Sequence, residues 1–339
     1  MFKFRLKSIG MPTGLVLILA WAWMAQGCFQ KGPADTVRVG LPDEPRTLNP
    51  WLASDVNSRS ILRLIYQPLY QRDPETLALV PWLAAQLPVY DAGRRTYTIR
   101  LRSARWSDGR PLTAADVAFS GRLIKAFNLP GASHWRCVEH IETPDDHTVV
   151  FYLKQPYAAF INRTLQVSIL PAHCWQPIAD EARKMEKPLA WLLRRENRSP
   201  VGSGPFVLKQ WHRGAYLYLE RNPRFFGSGA IIAGRPLGPH IQGILIKFFG
   251  TTDVAMLALR KGTIDVYQQH IQPGYLEMLE QTPHVQVMVS EKSALYYMGF
   301  NTRRQPFNDV HLRRAVALLI NKDFIVERLL QRQGTQMWS

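Results

Sequence analysis

Tyr97-Thr-Ile-Arg-Leu-Arg102 and, four residues on, Trp106-Ser-Asp-Gly-Arg-Pro-Leu-Thr-Ala-Ala-Asp-Val-Ala-Phe-Ser120 carry the reading of the fold. Tyr97, Ile99 and Leu101 alternate with Thr98, Arg100 and Arg102, the period of a strand with one face buried. A turn at Asp91-Ala-Gly93 leads into it, and Asp108–Gly109 turns the chain again. Thr113 then precedes Ala114-Ala-Asp116: a hydroxyl to satisfy free helix N–H groups, and an acid at the positive end of the helix dipole. Phe119, Leu123 and Phe127 follow at steps of four, which gives the helix one apolar face.

Outward from this segment the same signals repeat. A second hairpin runs from Val138 to Glu142, turns at Pro144-Asp-Asp146 and returns through Val149, Phe151 and Leu153. Ile241 to Phe249 is nearly continuous apolar sequence, as in a strand covered on both faces. Asp253 to Arg260 reads as a helix, Gly262 as its stop and Ile264–Tyr267 as the next strand, a pattern that predicts a parallel βαβ unit. Val310 to Ile320 reads as a helix interrupted at Asn321-Lys-Asp323 and resumed from Phe324 to Leu330. The class is α/β with much hairpin, and 339 residues call for more than one lobe.

The first residues read as an address. Lys3, Arg5 and Lys7 precede an apolar run from Leu15 to Ala25, which is too short to cross a bilayer core of roughly 20 apolar residues. Residues 1–27 therefore read as a signal peptide. Cys28 after Gly27 resembles the lipidation site of bacterial lipoproteins, although Ala25 and Gln26 depart from the usual pattern. Residues 28–34 are the expected tether, and the expected location is the periplasm or cell surface, with a lipid anchor in the membrane. Removing the leader takes away three positive charges and no negative ones, leaving +13 of the +16. Outside the cytoplasm Cys137 and Cys174 have two open readings, a disulfide or two buried thiols.

Motifs for chemistry are largely missing, so no catalytic residue and no cofactor are assigned. The chain has no phosphate loop ending in Gly-Lys-Ser/Thr, no His-Glu-x-x-His, and no Gly-x-Ser-x-Gly; Gly202-Ser-Gly204 lacks the outer spacing. His134, Cys137 and His140 suggest a metal trio, but their spacing scatters them on a strand or a helix, and no metal is assigned. Asp43–Glu44 and Asp145–Asp146 read as turn chemistry. The arginine pairs Arg94–Arg95, Arg194–Arg195, Arg303–Arg304 and Arg313–Arg314 read as solvated surface suited to anionic headgroups, not to nucleic acid, for which no reading motif is present. Trp51, Trp106, Trp135, Trp211, Tyr296 and Tyr297 stand at positions read as loops, and aromatic loops with few ionisable groups suit a pocket for an organic ligand.

Several stretches in order resemble the peptide/nickel-type (family 5) extracellular solute-binding proteins of ABC importers. They are Leu41-Pro-Asp-Glu-Pro-Arg-Thr-Leu-Asn-Pro50, the 97–120 segment, Glu142-Thr-Pro-Asp-Asp-His-Thr-Val149, Gly202-Ser-Gly-Pro-Phe206, Glu220-Arg-Asn-Pro223, Leu259-Arg-Lys-Gly-Thr-Ile-Asp265 and Phe300-Asn-Thr-Arg-Arg-Gln-Pro-Phe-Asn-Asp-Val-His-Leu-Arg-Arg-Ala315. Asn49 stands where the family often has Asp. The resemblance implies a type II periplasmic-binding-protein-like fold of two lobes that close on a solute without catalysis. It implies a discontinuous lobe I at 35–65 and 200–295, a hairpin-rich subdomain at 66–199, and the start of lobe II at 296–339. Glu44, Pro45, Arg46 and Thr47 are expected to line the cleft, Tyr296 and Tyr297 to lie near the crossing between lobes, and Trp135 is a further ligand-binding candidate. Relatives continue past the segment corresponding to 309–330. The second lobe is therefore expected to be largely missing, and the chain alone to expose apolar surface and bind weakly or not at all.

The function implied is capture of oligopeptide-like or other small organic solutes for ABC permease subunits. The alternative is a truncated, non-transporting lipoprotein remnant or interaction protein. A secreted hydrolase using Ser203 and His134 is the third class, and the sequence shows no nucleophile–base pair for it.

Overall fold

The computed structural model describes residues 35–337 apart from 74, 233, 268–270, 289–296 and 333. The leader, the tether, Cys28 and Tyr296 lie outside the described residues. In chain order the two principal sheets use strands β1 (Thr36–Leu41), β2 (Val89–Asp91), β3 (Thr96–Arg100), β4 (Val138–Asp145), β5 (Thr148–Leu153), β6 (Phe206–His212), β7 (Tyr216–Arg221), β8 (Gly243–Phe248) and β9 (Val266–Tyr267). The helices used below are α1 (Val56–Ile65), α2 (Ala114–Ala126), α3 (Ala172–Arg183), α4 (Pro188–Arg194), α5 (Thr252–Arg260), α6 (Leu276–Glu280) and α7 (Val310–Leu319).

The larger sheet has the order β6-β7-β8-β1-β9. β1 is parallel to both its neighbours, with Val37 opposite Ile244 and Val39 opposite Val266, while β6, β7 and β8 pair antiparallel. The expected strand–helix–strand unit is therefore present as β8–α5–β9, with one difference. β1, from about two hundred residues earlier, lies between its two strands. Gly262 ends the helical segment at φ +65, a conformation that costs glycine little.

The smaller sheet, β2-β3-β5-β4, is antiparallel throughout. Alternation sets its buried face: Ile99, Val149 and Phe151 are fully buried while Arg100 is exposed. α2 lies against it with Phe119, Leu123 and Phe127 buried, as the four-residue spacing predicts. One apolar core runs from this subdomain into the larger sheet, taking in Trp106, Phe151, Leu217 and Ile246. A second small cluster holds Ala255, Met256 and Leu279, joining α5 to α6.

Two polar nodes fix the elements. The buried Asp116 carboxylate accepts from Thr113 N (2.9 Å), Trp106 Nε1 (3.2 Å) and Ala172 N (2.8 Å), joining the first turn of α2 to the start of α3. Arg38 grips Asp265 through its backbone N (2.7 Å), Nε (2.9 Å) and Nη2 (2.5 Å), clamping β1 beside β9. The paired guanidinium holds the Asp265 carboxyl below its usual range.

In contrast, α7 buries none of its side chains, and Leu318, Leu319, Phe324 and Leu329 are largely exposed. Among the described residues no helix is long and apolar enough to cross a membrane.

Two outcomes are expected. Asp116→Ala leaves three donors without an acceptor in the core and should cost about 3 kcal/mol or more, read from a urea midpoint. Because the folded pKa of Asp265 is depressed, its contribution is complete above the ordinary value of 3.8 and is lost as pH falls through the folded value. Asp265→Asn should flatten that part of the acid stability profile, and an unchanged slope would remove the pair from the account.

Candidate functional site

The loop after β1 leaves the parallel end of the larger sheet, and hydrogen bonds of Thr47 and Asn49 tie it down. Thr47 N donates to Ser58 Oγ (3.3 Å) on α1, and Thr47 Oγ1 accepts from Asn49 N (2.9 Å). Asn49 is fully buried. Its Oδ1 accepts from Trp51 N (2.9 Å), while its Nδ2 faces the carbonyls that end α4, at 3.2 Å from Leu192 O and 2.8 Å from Arg195 O. A carboxylate cannot donate there, so the amide at this position has a structural cause: it satisfies a helix C-terminus. From the other side Asn197 Nδ2 donates to Leu48 O (3.0 Å) and to the Tyr66 hydroxyl (2.9 Å), whose proton is held tightly because the group is buried.

This loop forms one wall of a hollow of about 220 Å³. Thr47 and Leu48 line it from the loop, Glu196 to Arg198 from the segment after α4, and Trp211 and Arg213 from the end of β6 and just beyond. The Arg213 guanidinium carbon sits 3.7 Å from the centroid of the Trp211 ring, a cation–π contact. Arg213 also lies 4.0 Å from Glu44 Oε2, which accepts from Gly214 N at 3.1 Å. Arg198 Nε pairs with Glu196 Oε2 at 2.5 Å and holds that carboxyl below its usual range. The Trp211 and Trp51 indole N–H groups are buried without a partner.

Of the residues singled out from the sequence, Glu44 to Thr47 lie together on this loop, with Pro45 buried and Arg46 exposed. Of the described ligand-binding candidates only Thr47 lines the hollow; Glu44, Pro45, Arg46, Trp135 and Tyr297 do not. Trp135 is 2% exposed and packs on Phe151 and on Gly121, where an added Cβ would come within 2.4 Å of the ring. Tyr297 is 81% exposed, on the segment leading to α7. Trp106, read as a loop aromatic, is core, because its indole N–H belongs to Asp116. Trp211, read from the sequence as a loop aromatic, lines the hollow from the end of β6, whereas Leu48, Glu196, Asn197, Arg198 and Arg213 line it without having been singled out as site residues. Arg213 lies in the turn just after β6, where strand alternation does not set its direction, so no local signal marked it.

The other candidate chemistries resolve into structure. Ser203 is 1% exposed and its Oγ has no partner, so no base faces it. Gly202 and Gly204 pass so close to α1 that an added Cβ would meet Ile65 O at 2.0 Å and Leu64 O at 2.3 Å. His134 meets the Tyr157 hydroxyl at 3.0 Å, Cys137 Sγ donates to His134 O, and His140 stacks on Tyr152 with ring centroids 4.1 Å apart. His134 and His140 therefore engage separate tyrosines, and Cys137 engages the backbone of His134. Cys137 and Cys174 are free thiols; burial raises the pKa of both.

A hollow walled by a fixed loop, with an aromatic face and charged rim, suits a polar organic solute. Residues 78–339 match the family model described as "Bacterial extracellular solute-binding proteins, family 5 Middle". The chain is 30% identical to the probable D,D-dipeptide-binding periplasmic protein DdpA of Escherichia coli (strain K12), over 96% of this chain and 60% of that protein. It superposes on the oligopeptide-binding protein AppA of Bacillus subtilis, in complex with a nonapeptide, with a TM-score of 0.74 at 24% identity, covering 89% of this chain and 57% of that one. For NikZ of Campylobacter jejuni, in complex with Ni(L-His), the values are 0.73 and 23%, covering 88% and 56%. The chain thus spans 60% or less of the length of these relatives, and its α/β architecture is that of periplasmic binding proteins. It belongs to the bacterial extracellular solute-binding proteins of family 5, a family of binding proteins rather than enzymes.

Proposed function

We propose that this protein captures oligopeptide-like solutes outside the cytoplasm for the permease subunits of an ABC importer, with residues Glu44–Thr47, Trp211 and Arg213 forming one wall of the binding cleft. The observation that carries this reading is the family match over residues 78–339, joined to the peptide-binding relatives it resembles. The geometry of the loop adds a physical reason. Its conformation is fixed by Asn49 and Asn197 before any ligand arrives, so little ordering entropy is lost on binding. The Trp211 face supplies apolar area, and Arg213 and Glu44 supply charges suited to a zwitterionic solute. Enclosure between two lobes excludes water from these contacts. Anchoring through a lipid on Cys28 is the accompanying proposal, resting on the basic and apolar pattern of the first residues.

Deleting the gene in the source cell should lower uptake of labelled di- to oligopeptides, and restoring it should recover uptake. Uptake unchanged by the deletion would overturn the reading. Trp211→Ala is expected to restore uptake only partly. Asn49→Asp, which replaces a donor by a charge facing carbonyl oxygens, should destabilise the protein by about 2 kcal/mol in urea titration.

A further inference from the structure

At the start of α3, in the hairpin-rich part of the chain, an oxygen of Asp108, a ring nitrogen of His173 and Cys174 Sγ all lie within 4.8 Å of one another. This trio shares no residue with the hollow beside Thr47, nor with the His134, Cys137 and His140 trio suggested by spacing. We propose that Asp108, His173 and Cys174 form a three-ligand site for a divalent transition metal of borderline softness, of which Zn2+ is the type.

The donor set selects the class of ion. Thiolate and imidazole suit Zn2+, Co2+ and similar ions, whereas Mg2+ and Ca2+ favour all-oxygen shells. Three protein ligands leave a fourth tetrahedral position, and the site can take a water there because Asp108 is exposed and His173 and Cys174 are only half-buried.

Zn2+ holds sulfur at about 2.3 Å and nitrogen at about 2.0 Å, which sets donor atoms about 3.5 Å apart. His173 Nε2 is 2.7 Å from Asp108 Oδ2 and the three donors lie within 4.8 Å of one another, so binding requires them to shift from these positions to about 3.5 Å.

The surroundings hold the donors in place. Gly109 N donates to Trp106 O (2.9 Å) and Arg110 N to Asp108 Oδ1 (3.1 Å), closing the turn and leaving Oδ2 toward His173. The Asp116 bond to Ala172 N at 2.8 Å fixes the residue immediately before His173. Support of this kind around the ligands is what a metal site needs for a defined geometry. The bland account is an ion pair between Asp108 and His173 that pins the turn to α3, and it gives the thiol no part.

The two accounts separate in a cobalt titration of the untagged, reduced, metal-stripped protein. The chain has three cysteines, so a Cys28→Ser/Cys137→Ser variant leaves Cys174 as the only thiol. That variant should bind one equivalent of Co2+ and show a thiolate-to-cobalt charge-transfer band, which Zn2+ abolishes by displacement. Adding Cys174→Ser should remove the band, and His173→Ala should weaken Co2+ binding by about tenfold or more. Circular dichroism should report unchanged folding in each. The proposal is overturned by the absence of a charge-transfer band in the natural chain, by a band that survives Cys174→Ser, or by affinity indifferent to His173→Ala.

Discussion

A single buried carboxylate, Asp116, holds together the part of the chain from which the fold can be read. Burying such a group without partners would be costly, and the protein gives it three: the N–H of Thr113, the indole of Trp106 and the N–H of Ala172. Those three donors belong to the turn, to the first turn of α2 and to the start of α3, segments up to sixty-six residues apart. One turn further along α2, Ser120 Oγ donates to Asp116 O and accepts from Leu170 N, so the approach to α3 is tied twice. From the same turn Ser107 reaches the larger sheet: Ser107 N donates to Gly202 O, and Gly202 N to Ser107 Oγ. Gly204 continues the chain of contacts, donating to Ile65 O and accepting from Asn222 Nδ2. The hairpin subdomain and the larger sheet are therefore joined by hydrogen-bonded backbone as well as by shared apolar core.

These contacts explain which parts of the structure were legible in the sequence. α2, its acidic first turn and the two hairpins follow local rules, because capping and alternation involve residues a few positions apart. The β8–α5–β9 unit was legible as local order. The insertion of β1 between its strands was not, since it depends on an Arg38–Asp265 pair separated by 227 residues. Trp106 and Trp135 show the limit for aromatic side chains. Nothing local distinguishes an indole that lines a pocket from one that packs in a core, and here the choice falls to Asp116 for one and to the absent side chain of Gly121 for the other. Asn49 could be noticed as a departure from a family pattern, but its reason, the carbonyls at the end of α4, lies about 145 residues away.

The candidate wall combines two kinds of interaction with different consequences. Asn49 and Asn197 are inward amides, and their hydrogen bonds set the backbone of the loop in a partly dry environment where an unmade bond is expensive. Glu44, Arg198 and Arg213 are rim charges whose ion pairs face water, and such pairs contribute little to stability. A loop whose shape is fixed from beneath can carry weakly held charges on its outer edge without losing its conformation. Those charges remain able to exchange one partner for another, which suits recognition of a charged solute better than an internal structural role.

The same separation of duties bears on catalysis. A hydrolytic serine must be exposed to substrate and hydrogen-bonded to a base. Ser203 is enclosed by a glycine-flanked backbone pressed against α1, in a passage where even a methyl group has no room. The motif that superficially suggests a nucleophile is thus a packing device, and its glycines are there to let two backbones touch. Near Thr47 the surface holds a shaped hollow with an aromatic face and exchangeable charges, an arrangement able to hold a molecule.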